Sequence, residues 1–296
     1  MSKAMEETKT ALAELIENAR IGNIIPIRLT GQLEAIQELL LGAEEAHAEE
    51  IQELKNLPGG DAGEVILENA NFMKTAVHEL RTPMTSIRGY SDMLVNESMG
   101  GPLSDMQKQL LAVVRTNARR MEGLLMDMST LNKLRAGILQ LSIKMDMFKN
   151  VALRAENAMK PLAKELNRQL EFDLPQGLPL LNTDGEMMAL AMQKLIENGL
   201  RYSPEGEGKV TVSGKNENNT LVITITDNGC GMTEAGIKQL GTLFFRGDND
   251  VVRTYKGSGL GVSIAFQLID LLGGRRKVTS EPEKGTTFTL SFDGMS

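Results

Sequence analysis

Between Leu110 and Leu131 the seam positions return at alternating steps of four and three: Leu110, Val114, Asn117, Met121, Leu124, Met128 and Leu131. That is a heptad pattern, and a helix carrying it has to lay the seam against another helix along its length. The partner is close in sequence. Phe72, Ala76, Leu80, Met84, Ile87, Tyr90 and Leu94 fall on one broad face of a helix expected from about Gly63 to Asn96. Met99-Gly100-Gly101-Pro102 reads as the turn between them, and Ser104 as the N-cap of the second helix. Two helices and a short turn make a hairpin. Two hairpins make a four-helix bundle, so the chain is expected to form a homodimer.

From about Leu139 the period changes. LQLSIKMDMF, KVTVSG, LVITITD and TTFTLSF alternate as strands do, with helical stretches around 149–167, 184–202 and 261–273. This order of elements predicts an α/β sandwich, a sheet with helices on one face. The fold class is therefore α+β, in three parts. Residues 1–62 are expected to form an acidic helical input or docking segment, interrupted at Pro26 and ended by Pro58-Gly59-Gly60. Residues 63–138 form the hairpin domain and residues 139–296 the sandwich.

Composition excludes several classes. Aromatic residues are 4% with no Trp, against 18 Met, which favours helix-rich packing and argues against an aromatic base-stacking surface. A net charge of −7 argues against nucleic-acid binding. The single cysteine, Cys230, allows no internal disulfide and fits a reducing cytoplasm. No apolar run approaches the length of a membrane span, and the N-terminus lacks the apolar core of a signal peptide.

Four stretches carry candidate chemistry. In His78-Glu79-Leu80-Arg81-Thr82-Pro83, His78 falls opposite the apolar face, where an exposed imidazole titrates near neutrality and can act as a nucleophile. Glu79 can accept a hydrogen bond from the other ring nitrogen. Thr82 lies one turn along, and Pro83 should bend the helix there. A surface histidine beside a helix kink reads equally well from the hexapeptide alone. Asp227-Asn228-Gly229-Cys230-Gly231 follows the strand-like LVITIT, and Gly257-Ser258-Gly259-Leu260-Gly261 leads into the apolar helix VSIAFQLIDLL. Glycines let backbone approach a phosphate, and a helix N-terminus offers free N–H groups, although strand–helix turns use glycine too.

Glu197-Asn198-Gly199-Leu200-Arg201-Tyr202-Ser203-Pro204 closes a helix. The Asn198 amide oxygen suits Mg²⁺ and Arg201 suits phosphate, while an ordinary helix end before a loop explains the segment as well. Phe244-Phe245-Arg246 opens a polar stretch to Lys256 that reads as a lid. Arg246, Arg253 and Lys256 are either phosphate contacts or solvated loop charges.

Taken together and in this order, the segments resemble those of the histidine kinases of two-component systems, over roughly residues 64–293. The His78 hexapeptide is similar to the phosphoacceptor box and the Asn198 segment to the N box. The Asp227 and Gly257 segments resemble the two glycine boxes, Gly285-Thr286-Thr287-Phe288 the closing box, and Phe244-Phe245-Arg246 part of the phenylalanine box. The resemblance implies a dimeric phosphotransfer hairpin followed by a Bergerat-type ATP-binding domain.

It also implies roles. ATP and Mg²⁺ would bind at Asn198, Arg201, Tyr202, Asp227, Gly229, Gly231, Lys256, Gly257, Gly259, Leu260, Gly261 and Thr287. Asp227 would meet the adenine amino group and Asn198 the metal. Glu79 would be the base beside His78, and Thr82 would orient water in the reverse, phosphatase reaction. The partner would be a response regulator receiver domain, with residues 1–62 as a docking segment for an upstream sensor protein. The alternative is a nucleotide-binding scaffold, or a phosphatase-dominant enzyme with weak autokinase activity. Three positions depart from the family pattern: Lys194 where a second Asn is usual, Gly199 where Ala is usual, and Gly241 where the first Phe of the phenylalanine box belongs.

Overall fold

The structure, a computed structural model, describes residues 77, 80, 81, 84–96, 101–247, 250–254 and 257–295. The expectations for residues 1–62, and for His78, Glu79, Thr82, Pro83 and Lys256, lie outside the described residues. The chain divides into two units, Met1–Leu139 and Gln140–Ser296.

In the first unit residues 77, 80, 81 and 84–95 are helical (α1) and Asp105–Arg135 forms α2. Ser104 caps α2 in the expected place. Its hydroxyl accepts from the Gln107 N–H, and the Gln107 side chain accepts from the Ser104 N–H at 2.9 Å. This reciprocal box satisfies two donors that would otherwise be orphaned at the helix start. Arg88 pairs with Glu122 at 2.6 Å and Asp92 with Arg115 at 2.7 Å. The first residues of these pairs ascend while the second descend, so α1 and α2 run antiparallel.

The buried line of α1 is Val77, Leu80, Met84 and Ser91, and that of α2 is Ala118, Met121, Leu124, Leu125, Met128, Leu131 and Asn132. Here the expected face is corrected. Tyr90 and Leu94 are exposed, and Ser91 is buried in their place, donating to the Ile87 carbonyl at 2.7 Å. One partner helix covers only a narrow line, and the apolar face of α1 is wider than that. The turn-proximal part of the α2 seam is likewise uncovered, with Leu110 48% exposed.

The second unit opens with β1 (Lys144–Met147), α3 (Phe148–Glu165), β2 (Gln169–Asp173) and β3 (Leu180–Thr183). α4 (Gly185–Tyr202), β4 (Lys209–Glu217) and β5 (Thr220–Asp227) follow. Then come α5 (Glu234–Gln239), α6 (Asp250–Thr254), α7 (Gly261–Leu271), β6 (Arg275–Glu281) and β7 (Gly285–Asp293). The main sheet has the order β2-β4-β5-β7-β6, antiparallel except for the β2–β4 pair. Of the expected strand LQLSIKMDMF only β1 forms, and it pairs with β3 in a separate two-stranded ribbon.

One face of the sheet is apolar. Val210 and Val212, then Leu221, Ile223 and Ile225, then Phe288, Leu290 and Phe292 are buried at every second position. They meet Met188, Met192, Leu195 and Ile196 of α4 and Ile264, Ala265, Leu268 and Ile269 of α7, also buried. Fully burying a side chain of this size contributes about 1.5–3 kcal/mol. α3 packs on α4 and α4 on α7, which completes the two-layer sandwich.

Candidate functional site

The site residues of the second unit gather where β5 ends, where α4 ends and where α7 begins. Asp227 is the last residue of β5. Its Oδ1 accepts the Gly229 N–H at 2.8 Å and the Thr286 N–H at 3.1 Å. Both backbone bonds fall on one oxygen, so the carboxylate is held rigidly and Oδ2 is left toward Gly199. A β-carbon on Gly199 would stand 3.5 Å from Oδ2, 3.1 Å from the Asp227 β-carbon and 2.9 Å from Val210 Cγ2. The absent methyl is what lets α4 sit this close to the carboxylate. Burial pushes the Asp227 carboxyl above the usual carboxylate range, against the pull of its two N–H donors. An oriented, half-buried acceptor suits a neutral donor such as an aromatic amino group.

Asn198 lies one turn after Lys194 on α4, half-buried, and no described residue hydrogen-bonds its side chain. Mg²⁺ keeps several waters and takes only one or two protein oxygens when it arrives with a phosphate, so this unpartnered amide fits such an ion. No cluster of three or more acidic, His or Cys side chains stands nearby to form a closed cage among the described residues. Arg201 donates to Glu197, with contacts at 2.9 and 2.8 Å.

Tyr202 binds the first glycine segment through its carbonyl, which accepts the Cys230 N–H at 3.1 Å. Its hydroxyl lies 3.6 Å from where a Gly257 β-carbon would be. Burial raises the phenol, with Arg246 and Arg201 drawing it back down. Arg246 also donates to the Val252 carbonyl, tying the lid segment to α6. Gly231 packs on the Glu281 carbonyl, and the Cys230 carbonyl accepts the Glu283 N–H at 2.8 Å, so the first glycine segment is clamped by the β6–β7 turn. Gly259 has φ +72°, and a β-carbon there would stand 2.6 Å from the Phe244 carbonyl carbon. Leu260 is buried, and α7 starts at Gly261 with no side-chain cap. Its first N–H groups are available to an anion. Thr287 shares a 3.1 Å hydroxyl contact with Thr226.

The structure thus brings together Asn198, Arg201, Tyr202, Asp227, Gly229, Gly231, Gly257, Gly259, Leu260 and Gly261. Thr287, expected in the site, is not brought in: the alternation of β7 turns it to the outward face of the sheet beside Thr226, away from α4 and α7. Two residues were missed. Thr286, beside Thr287, holds Asp227. The alternation through Phe288, Leu290 and Phe292 puts 286 on the inward face and could have found it. Phe266 of α7 was the other. A β-carbon on Gly241 would stand 2.5 Å from its ring, which also meets Phe288 edge-on at 6.3 Å and lies under Arg276. The Phe266 ring thus fills the space that a side chain at 241 would need.

Residues 68–137 match the family model "His Kinase A (phospho-acceptor) domain", and residues 183–294 match "Histidine kinase-, DNA gyrase B-, and HSP90-like ATPase". Together they span more than half of the chain. An uncharacterized sensor-like histidine kinase of Rhizobium meliloti is 28% identical over 75% of this chain and 42% of its own length. The non-motile and phage-resistance protein of Caulobacter vibrioides is 28% identical over 98% of this chain and 32% of its own. The chain therefore spans less than half the length of these relatives. Full-length ShkA, solved in complex with AMPPNP, superposes with a TM-score of 0.59 at 20% identity, over 76% of this chain and 46% of that one. This likeness shows the fold.

Proposed function

The chain belongs to the histidine kinases of two-component systems, and from that we propose that it phosphorylates its own His78 from ATP and passes the phosphoryl group to a response regulator. The observation that carries the reading is the carboxylate of Asp227, fixed by two backbone donors with its second oxygen turned to the cleft beside Gly199. The adenine amino group donates there. The triphosphate runs toward Gly257–Gly261, where α7 offers uncapped N–H groups. Asn198 would hold a Mg²⁺ carried in with ATP, and that ion would supply positive charge to the phosphates.

In the first step a nitrogen of the His78 ring attacks the γ-phosphorus in line. The bond to the β–γ bridging oxygen breaks, ADP leaves, and the ring proton passes to Glu79. In the second, a receiver aspartate oxygen attacks the phosphorus, the P–N bond breaks with its electron pair going to the ring nitrogen, and the imidazole takes back a proton. Positioning carries most of this catalysis, since phosphoryl transfer needs alignment and charge stabilisation more than covalent help. Thr82 orients water when the phosphorylated partner is hydrolysed.

The exposure of Arg81 and Thr85 supports placing His78 on an outward face, for helical spacing puts both on the side expected for it. Exposed Tyr90, Met93, Leu94, Met106, Leu110 and Val113 supply the face on which a second hairpin would close the bundle. No helix among the described residues is long and apolar enough to cross a membrane. We place the chain's work in the cytoplasm, where ATP and receiver domains meet, with residues 1–62 docking an upstream sensor.

His78→Gln should abolish labelling by γ-labelled ATP while binding of an ATP analogue persists. Acid-labile label remaining in that variant would overturn the assignment.

A further inference from the structure

Lys194 stands one turn before Asn198, on the edge of α4 that passes the second glycine segment. Its Cδ lies 3.8 Å from the point a Gly261 β-carbon would occupy. The stem therefore already lies against the first residue of α7, and the ammonium is one methylene further on. The same helix therefore passes both ends of the site, with Lys194 at the start of α7 and Gly199 at Asp227. Gly199 and Lys194, five residues apart on one helix, set the two ends about 7.5 Å apart along its axis.

An ammonium and a metal ion neutralise phosphate in different ways. The ammonium donates up to three hydrogen bonds to phosphate oxygens and is fixed to the protein. It cannot ligate Mg²⁺, and as a like charge it opposes an ion held one turn away at Asn198. Resting on the reading that this site binds ATP, we propose that Lys194 is a positioning residue for the β- and γ-phosphates. It gives this chain a built-in cation that makes nucleotide binding less dependent on Mg²⁺. The metal then adds comparatively little to ATP affinity here, and its remaining contribution lies in the transfer step.

The test is calorimetric titration of the full chain with adenosine and with the β,γ-imido analogue of ATP, each in excess Mg²⁺ and in EDTA. For the wild type, chelation should weaken the analogue by less than tenfold. Lys194→Met should weaken it by about tenfold or more in EDTA, with adenosine unchanged, and Lys194→Arg should restore most of the loss. Lys194→Asn, which replaces the cation with an oxygen ligand, should raise the EDTA-to-Mg²⁺ ratio of dissociation constants by about tenfold. A loss falling equally on adenosine and the analogue would assign Lys194 to packing and overturn the inference. So would a ratio unchanged in both Met and Asn variants. If the wild type binds neither ligand, the ATP reading itself fails and takes the inference with it. If it binds both and only the ratio fails to move, the reading stands and the inference falls.

Discussion

The two units close their apolar surfaces in different ways. In the sandwich every second residue of β4, β5 and β7 points into helices of the same unit, and the side chains there are buried almost completely. In the hairpin α1 covers only part of α2, and Met106, Leu110 and Val113, themselves at steps of four and three, remain 71%, 48% and 49% exposed. Among the described residues the sandwich closes its apolar faces within one chain, and the hairpin leaves part of its own open. A nucleotide site needs rigid walls, which a closed core supplies. On the proposed function, a helix that presents His78 to the ATP-binding unit and to a receiver domain is better carried on an element whose packing is settled by association.

The largest effect that sharpens this contrast is expected from Leu195→Ala, at the buried centre of α4. It should cost about 2–5 kcal/mol in urea unfolding of the sandwich and leave association of the hairpins as it was. The mirror experiment is Leu110→Asp. A charge in the closing face should weaken dimerisation by about a hundredfold, read by sedimentation velocity, with ATP-analogue binding unchanged. A dimer that survives this substitution would break the contrast. Next is Gly199→Ala. Its methyl would press on Val210 and Asp227 and cost about 1–3 kcal/mol, with a parallel loss of nucleotide affinity. Ser104→Ala removes the α2 cap and should cost about 1 kcal/mol, seen in the hairpin transition alone.

The smallest effect is on pH dependence. Folding raises the Asp227 carboxyl, so between its ordinary and raised values the folded protein holds the proton more tightly than the unfolded chain does. Stability of the ligand-free sandwich therefore falls as pH rises through that window. Asp227→Asn should flatten that slope and lose adenine binding at the same time.

The elements legible in the sequence were those with one wet and one dry face. α2 and its Ser104 cap, α3, α4, α7, β4, β5 and β7 all carry the period of a half-buried element. β2 and β6 are the edges of the sheet. β6, reading RRKVTSE, has a single apolar residue and keeps its charges outward, with Arg275 on Asp293 and Arg276 on Asp270. Charges of that kind discourage further strand pairing, and they also erase the apolar alternation by which a strand is recognised. Asp227 and the glycine segments were legible because they are contiguous. The alternation of β7 places Thr286 on the inward face, but its pairing with Asp227, like that of Phe266 with Gly241, joins residues far apart in the chain and is announced by no local pattern.

β5 and β7 are neighbours in the sheet, with Asp227 opposite Thr286. Between them the chain leaves the sheet through the first glycine segment, the lid and α7, and comes back as β6, the edge strand beside β7. The strands that hold Asp227 are therefore indifferent to how long that excursion is. Doubling the length of a flexible loop costs only about 0.6 kcal/mol in closure entropy. A longer lid therefore carries little thermodynamic penalty for the sheet, and a reporter peptide spliced in after Gly247 should be carried without unfolding it.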